Sequence, residues 1–370
     1  MKVPIAEPVI TPNDLAAVTE CVASGWISGV SPWVKRFEEE FAEYIGVPDA
    51  VATSSGTTAL HLGAVSIGIK PGDEVILPSF TMIASANILH YLGAKPVFCD
   101  IMPHSWCMDP VDVESKINSR TKAIMPIHVY GHPVSMGIIR DLAIEYDLKV
   151  IEDVAEAHGG EWKHKKLGSL GDCGCFSFFA NKIITTGEGG MITFSNHDDA
   201  ENARWLRAHA FGRHGKHYWH EAVGFGYRMS GMQAALGSSQ LKDLDKYAEI
   251  HWMNAWRYKM LLKPLSDEHK IIFPHEDYKV EKNVYWMFSV LINESYGMSR
   301  DEVVAELEKK GVETRTFFYP LHKQPPYQQD IELPVTDAVA SRGINLPSGN
   351  ALKPEQIEYV CDCLMELANK

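Results

Sequence analysis

The apolar positions of this chain fall into short blocks of two kinds. Continuous runs of four or five, bounded by turn residues, mark buried strands, whereas spacings of three and four mark one face of a helix. Runs of the first kind lie at Val75–Pro78, Pro96–Asp100, Ala123–Ile127, Lys149–Asp153, Cys175–Phe179 and Met191–Phe194. Helical stretches fall before them at Gly56–Gly68 and between them at Thr81–Tyr91 and Met136–Tyr146. An earlier helix runs to about Ser24, with Thr11 as its cap and Pro12 at its first position. Apolar strands joined by helices predict a largely parallel α/β sheet. Ligands of such sheets gather at the carboxyl ends of the strands, and Asp153 stands at one such end.

Beyond residue 229 the pattern changes. Met229–Lys246 reads as a helix that leads into a longer one through Leu262. Tyr285–Ile292 and Val312–Phe318 read as strands, and Ser299 caps a helix, Arg300–Lys310, that Gly311 ends. Glu355–Leu367 is a closing helix. The chain, 370 residues long, exceeds one small core. The expected division is a large α/β domain over residues 1–246 and a smaller α+β domain over 247–370. The turn-rich span Tyr319–Pro334 is expected as a loop near the active site.

Composition adds three constraints. A net charge of -13 argues against a general nucleic-acid or anionic-membrane binder, although it permits a local basic pocket. No apolar run approaches the ~20 residues needed to span a bilayer, and the opening Met1-Lys2-Val3-Pro4 lacks the blocks of a signal peptide, so a cytoplasmic location is expected. The seven cysteines are an odd number without a Cys-x-x-Cys pair, which fits reduced thiols. Cys173 and Cys175 are assigned to opposite faces of a strand, which excludes a disulfide between them.

Candidate chemistry centres on Lys182, set between the apolar run Phe176–Ala180 and the Gly-rich turn Gly187–Gly190. A lone lysine beside a turn is usually solvated. One held dry at a strand end has a lowered pKa and can form a Schiff base. Pyridoxal phosphate (PLP) chemistry needs such an amine, an acid for the ring nitrogen and a phosphate cup. Ser54-Ser55-Gly56-Thr57-Thr58 opens a helix, where free N–H groups and hydroxyls hold phosphate. Asp153 is a buried carboxylate in want of a charged partner, and Ser177 is a second hydroxyl for the phosphate. Each has a plain structural reading as a cap, a salt bridge or a satisfied core group; their order along one chain is what points to PLP. His209, His214, His217 and His220, with Arg207, Arg213 and Lys216, match no zinc spacing, and no metal is expected. They form either a solvated loop or a polar border that meets a nucleotide diphosphate. Trp252, Trp256 and Tyr258 read as packing or a dimer interface.

Further motifs carry a resemblance. They are Gly25–Ser28, Ser55–Leu62, Pro71–Val75, Ile83–Asn87, Thr121–Pro126, His128–Gly131, Ile151–Ala157, the Lys182 run, Tyr218-Trp219, Tyr227–Met229 and Asn345–Pro347. Over nearly its whole length the chain resembles the DegT/DnrJ/EryC1/StrS sugar aminotransferases. That resemblance implies the PLP-dependent transferase fold of type I, like aspartate aminotransferase, and a homodimer with shared active sites. It implies L-glutamate as amino donor, ping-pong kinetics, and a nucleotide-linked 4-keto-6-deoxy sugar as acceptor, with GDP-4-keto-6-deoxymannose first among them. Lys182 would carry PLP and then act as acid and base. Asp153 would pair with the ring nitrogen, and Glu156 would lie near the ring hydroxyl, where many relatives carry Gln. Ser55, Gly56, Thr57 and Ser177 would bind the phosphate. His322 and Asn345 match sugar-facing loops, and Trp26, Tyr218 and Trp219 are where sugar selectivity is expected. Four positions depart from the family pattern. Met82 stands where most relatives stack an aromatic ring on the cofactor, Gly226 where Asn is usual, Gly231 where Asn or Asp is usual, and Thr316 where Pro is frequent. A PLP-dependent sugar dehydratase of this fold would carry His in place of Lys182, and a binding-only relative would hold the cofactor without turnover.

Overall fold

A computed structural model describes residues 1–212 and 218–369. Nine strands lie before residue 200 among those residues: β1 (Asp49–Thr53), β2 (Glu74–Pro78), β3 (Lys95–Cys99), β4 (Thr121–Ile124), β5 (Lys149–Asp153), β6 (Glu161–Trp162), β7 (Lys165–Lys166), β8 (Cys173–Ser177) and β9 (Gly190–Phe194). Seven form the central sheet in the order β1-β9-β8-β5-β4-β2-β3. Every pairing from β8 to β3 is parallel, as the pattern predicts. Only β9 runs against both its neighbours. Successive side chains of a strand point to opposite faces, so each strand feeds two cores. Ala50, Ala52 and Ile76 enter one core, while Val51, Val75 and Leu77 enter the other.

The later strands are β10 (Ile271–Ile272), β11 (Glu281–Lys282), β12 (Phe288–Ile292), β13 (Arg315–Thr316) and β14 (Gly343–Leu346). A four-stranded sheet has the order β10-β12-β14-β13, and β11 joins the β6–β7 hairpin. Helices Arg300–Lys309 and Pro354–Leu367 pack with this second sheet around a third core, which includes Val303, Leu307, Ile357 and Leu364. Val3 belongs to that core as well. It donates to Gly311 O (2.9 Å), accepts from Glu313 N (2.9 Å), and is followed by Ile5, whose carbonyl accepts from Ser348 N (2.7 Å).

Several expected boundaries move, each for a local reason. β12 starts at Phe288 rather than Tyr285, because Tyr285 adopts φ 46° and gives its N–H to the Asn283 side chain (2.8 Å). Only Arg315–Thr316 of the expected Val312–Phe318 strand joins the second sheet, since Val312 bridges to Val3 instead. The helix expected over Met229–Lys246 spans Gly231–Leu241, capped by Ser230, and the longer one it leads into already begins at Leu244 and runs to Leu261. Helices Pro32–Ile45, Pro110–Lys116, His197–Arg207 and Pro334–Arg342 lie beyond those the pattern predicts. The seven cysteines are free and buried, but Cys173 and Cys175 share a face of β8 rather than opposing faces, as any i, i+2 pair in a strand must. Both sulfurs press on Gly63, at 3.1 and 3.3 Å from where a Cβ would stand.

Candidate active site

The carboxyl ends of β5 and β8 meet the first turn of helix Gly56–Ser66 at a cleft of about 360 Å³. Ser55 caps that helix from extended backbone, its Oγ accepting from Thr58 N (3.2 Å), while Thr58 Oγ1 accepts from Ser55 N (2.9 Å). This reciprocal cap fixes the helix start. The first turn reaches Ser177 so closely that a Cβ on Gly56 would lie 2.6 Å from Ser177 Cβ. Ser55, Gly56, Thr57 and Ser177 thus line one end of the cleft, with helix amides at hand for an anion.

Asp153, the last residue of β5, is buried. Its Oδ2 accepts from Ser85 Oγ (2.8 Å) and its Oδ1 from Ala155 N (3.1 Å). Burial pushes its pKa up, against the opposing pull of Ser85, the Ala155 amide, Lys182 and His128. Among the described residues no cation comes within ion-pair distance of it. Glu156 is also buried, with Tyr130 N donating to Oε2 (2.7 Å). Burial raises its carboxyl to about 7, and Asp153 pushes the same way while Lys182, the Tyr130 amide and Arg315 pull it down. Below Asp153, the fully buried Glu152 accepts from the amides of Gly168, Leu170 and Gly171 and meets His128 Nε2 at 3.3 Å. That clasp ties β5 to the turn before β8.

Lys182 enters the cleft from the loop between β8 and β9. Burial lowers its pKa, Glu156 and Asp153 oppose that fall, and Arg315 reinforces it. Its Nζ lies 3.7 Å from the ring centroid of Trp286. Met82, half exposed, and Phe179, Trp286 and Phe318 supply the apolar wall.

Lys182, Asp153, Glu156, Ser55, Gly56, Thr57, Ser177 and Met82, all expected from the sequence, therefore share this cleft. Five others do not line it. Trp26, Tyr218 and Trp219 are exposed, at 54, 76 and 57%. His322 is buried, with Nδ1 2.8 Å from Ser79 Oγ, and Asn345 is buried in β14, accepting from Ser289 Oγ (2.5 Å). Of the histidine-rich loop, residues 213–217 lie outside the described residues, so the expectation for His214 and His217 goes with them. Among the described residues no group of three or more His, Cys, Asp or Glu could hold a metal ion. Gly231 has a packing reason: a Cβ there would meet Trp26 O at 2.3 Å and Ser31 Cβ at 2.7 Å. The sequence reading missed Trp286, Arg315, Ser85 and Glu188, which also line the cleft. Trp286 and Arg315 lie inside segments read as ordinary strands, and only tertiary packing brings them here.

Residues 8–365 match the DegT/DnrJ/EryC1/StrS aminotransferase family. The GDP-perosamine synthase of Caulobacter vibrioides is 42% identical over 365 residues, 98% of this chain and 97% of that protein. The GDP-perosamine synthase of Escherichia coli O157:H7 is 40% identical over 365 residues, covering 98% of both. Among solved structures, DesV of S. venezuelae superposes with a TM-score of 0.92 at 32% identity, covering 100% of this chain and 99% of that one. A lysine, two buried carboxyls and a helix start converging at the strand ends are what transamination needs of a protein, and with these matches the chain belongs to the DegT/DnrJ/EryC1/StrS family of PLP-dependent sugar aminotransferases.

Proposed function

We propose that this enzyme moves the amino group of L-glutamate to C4 of a nucleotide-linked 4-keto-6-deoxy sugar, GDP-4-keto-6-deoxymannose being the favoured acceptor, in the cytoplasm. The amino sugar would serve surface polysaccharide (O-antigen) or glycoside synthesis. The carrying observation is the convergence of Lys182, Asp153 and Glu156 on one cleft closed at its end by the Gly56 helix start. The relatives named GDP-perosamine synthase support the choice of sugar.

The residues fit PLP. A buried carboxylate with two hydrogen-bond donors and, among the described residues, no paired cation suits a protonated ring nitrogen. The glycine at the helix start leaves the backbone open beside Ser177. Ser55, Gly56, Thr57 and Ser177 would hold the phosphate, Asp153 the ring nitrogen, and Lys182 the carbonyl carbon. PLP, when bound, supplies the electron sink that acidifies the proton beside the amino nitrogen. The protein's part is to hold and move protons. Lys182, its charged form disfavoured by burial, would take that proton and return it. Asp153 would keep the ring nitrogen charged. Glu156, held by the Tyr130 amide, would face the ring hydroxyl. Met82, Phe179, Trp286 and Phe318 would exclude water from the transfer.

The deciding experiment is the near-UV/visible spectrum of purified protein with PLP, before and after L-glutamate. Glutamate should convert the lysine-linked absorption band to the pyridoxamine form. GDP-4-keto-6-deoxymannose should then restore the band, and dTDP- and UDP-linked keto sugars should do so less well. A bound-PLP band that glutamate leaves unchanged would overturn the choice of donor. Restoration by a dTDP- or UDP-linked sugar alone would overturn the choice of acceptor.

A further inference from the structure

The contact between Lys182 and Trp286 is built rather than incidental. The indole Nε1 donates to Asn181 O (2.7 Å), the carbonyl directly before the lysine. The preceding residue, Tyr285, is held at φ 46°, a region non-glycine residues enter only when the surroundings enforce it. Its N–H is bound by Asn283 Oδ1 (2.8 Å), and its carbonyl lies 2.8 Å from His251 Nδ1. Gly131 backs the turn so closely that a Cβ there would meet the Tyr285 and Trp286 nitrogens at 2.8 Å. Tyr130 stacks beside the indole, with centroids 6.4 Å apart and planes at 28°. Trp286 is thus fixed through its ring and its backbone before any lysine rests on it.

We propose that Trp286 is a positioning residue for Lys182, its indole face receiving the ammonium head whenever the side chain is not bonded to cofactor. The proposal rests on Lys182 being the reactive amine, not on the identity of the sugar. A lysine that has just taken a proton needs a place that favours its charged form. Asp153 and Glu156 also favour that charge, but each has an oxygen able to accept the proton. The ring attracts the cation and offers no basic atom, so the proton stays on the lysine for return. Arg315, facing from β13, repels the ammonium and disfavours its straying to that side. Glu188 lines the same cleft.

The test is the ionisation of Lys182 in cofactor-free protein. The rate of its acetylation is followed against pH by peptide mass spectrometry in the unaltered protein, Trp286→Phe and Trp286→Met, with circular dichroism confirming the fold. Removing the π face destabilises the ammonium, so Trp286→Met should lower the midpoint by roughly 0.5 to 1.5 pH units. Trp286→Phe should recover most of that shift. Equal midpoints in all three proteins, or equal shifts in both variants, would overturn the proposal. If Trp286→Met does not fold, the difference in emission between the unaltered protein and Trp286→Phe should titrate at the Lys182 midpoint, and a flat difference would overturn it. Neither readout uses donor or acceptor, so failure of the sugar assignment would leave it intact.

Discussion

Asp153 and Glu156 show how two neighbouring carboxyls are given different characters. Asp153 has a hydroxyl on one oxygen and an amide on the other, whereas among the described residues the hydrogen bond to Glu156 comes from the Tyr130 amide. Burial raises both, Glu156 to about 7 from an ordinary 4.5. Between those two values the folded protein keeps a proton that the unfolded chain releases. The native state therefore loses stability as pH rises through that window, and the loss is complete above about 7. Glu156→Gln keeps an acceptor for the Tyr130 amide and removes the charge. In cofactor-free protein it should gain stability relative to the parent between pH 4.5 and pH 8, by up to about 3 kcal/mol in urea unfolding. A constant difference across that range would refute the burial argument. Lys182 carries the chemistry itself, so Lys182→Ala should cut 2-oxoglutarate formation from glutamate by at least about a thousandfold. Activity near the parent level would sink the aminotransferase assignment at this site.

At the scale of elements, the approach of helix Gly56–Ser66 to the end of β8 sets the phosphate end of the cleft. Gly56→Ala puts a Cβ 2.6 Å from Ser177 Cβ, so the helix start must shift, at a cost of about 1–3 kcal/mol. PLP affinity should fall by roughly tenfold or more, and Ser177→Ala, which removes a hydroxyl that would hold the phosphate, should lower it as well. Absorbance titration checks both, and unchanged affinity in Gly56→Ala would mean that this turn does not bind the phosphate. Elements with local signals were legible in the sequence. The Thr11 and Ser299 caps, the apolar runs ending at Pro78 and Asp153, and the helix at Gly56 are written in neighbouring residues. Strand ends set by distant partners were not. β8 closes at Ser177 because the Phe178 carbonyl is taken by Thr186 N (3.0 Å) and Thr185 Oγ1 (2.9 Å) instead of by β9, and β12 opens late because of Tyr285. The antiparallel run of β9 was equally hidden, since period and composition carry no direction.

For the whole molecule, the order of Ser55, Asp153, Ser177 and Lys182 along the chain made the cleft readable, because the first three lie at a helix start or strand ends that the pattern located and Lys182 lies in the loop that follows one of them. Trp286 and Arg315 were not readable, since they reach the cleft only once the second sheet packs against the first. One surface remains to be matched to a partner. Leu15, Val22, Trp26, Ile27 and Val30 are 45 to 72% exposed within one short segment, an apolar surface that suits a second copy of the chain. Sedimentation equilibrium should give a homodimer, and a fully active monomer would contradict shared active sites. The stitching of Val3 and Ile5 to residues 311–313 and 348 has a consequence for biosynthesis. Ile5 and Glu313 are 308 positions apart. During translation the sheet that bears Lys182 can form while those opening residues wait, still unpaired, for partners not yet made. The third core then closes only after residues 311–313 and 348 have left the ribosome, a late, non-local step of the kind that slows folding and draws chaperones.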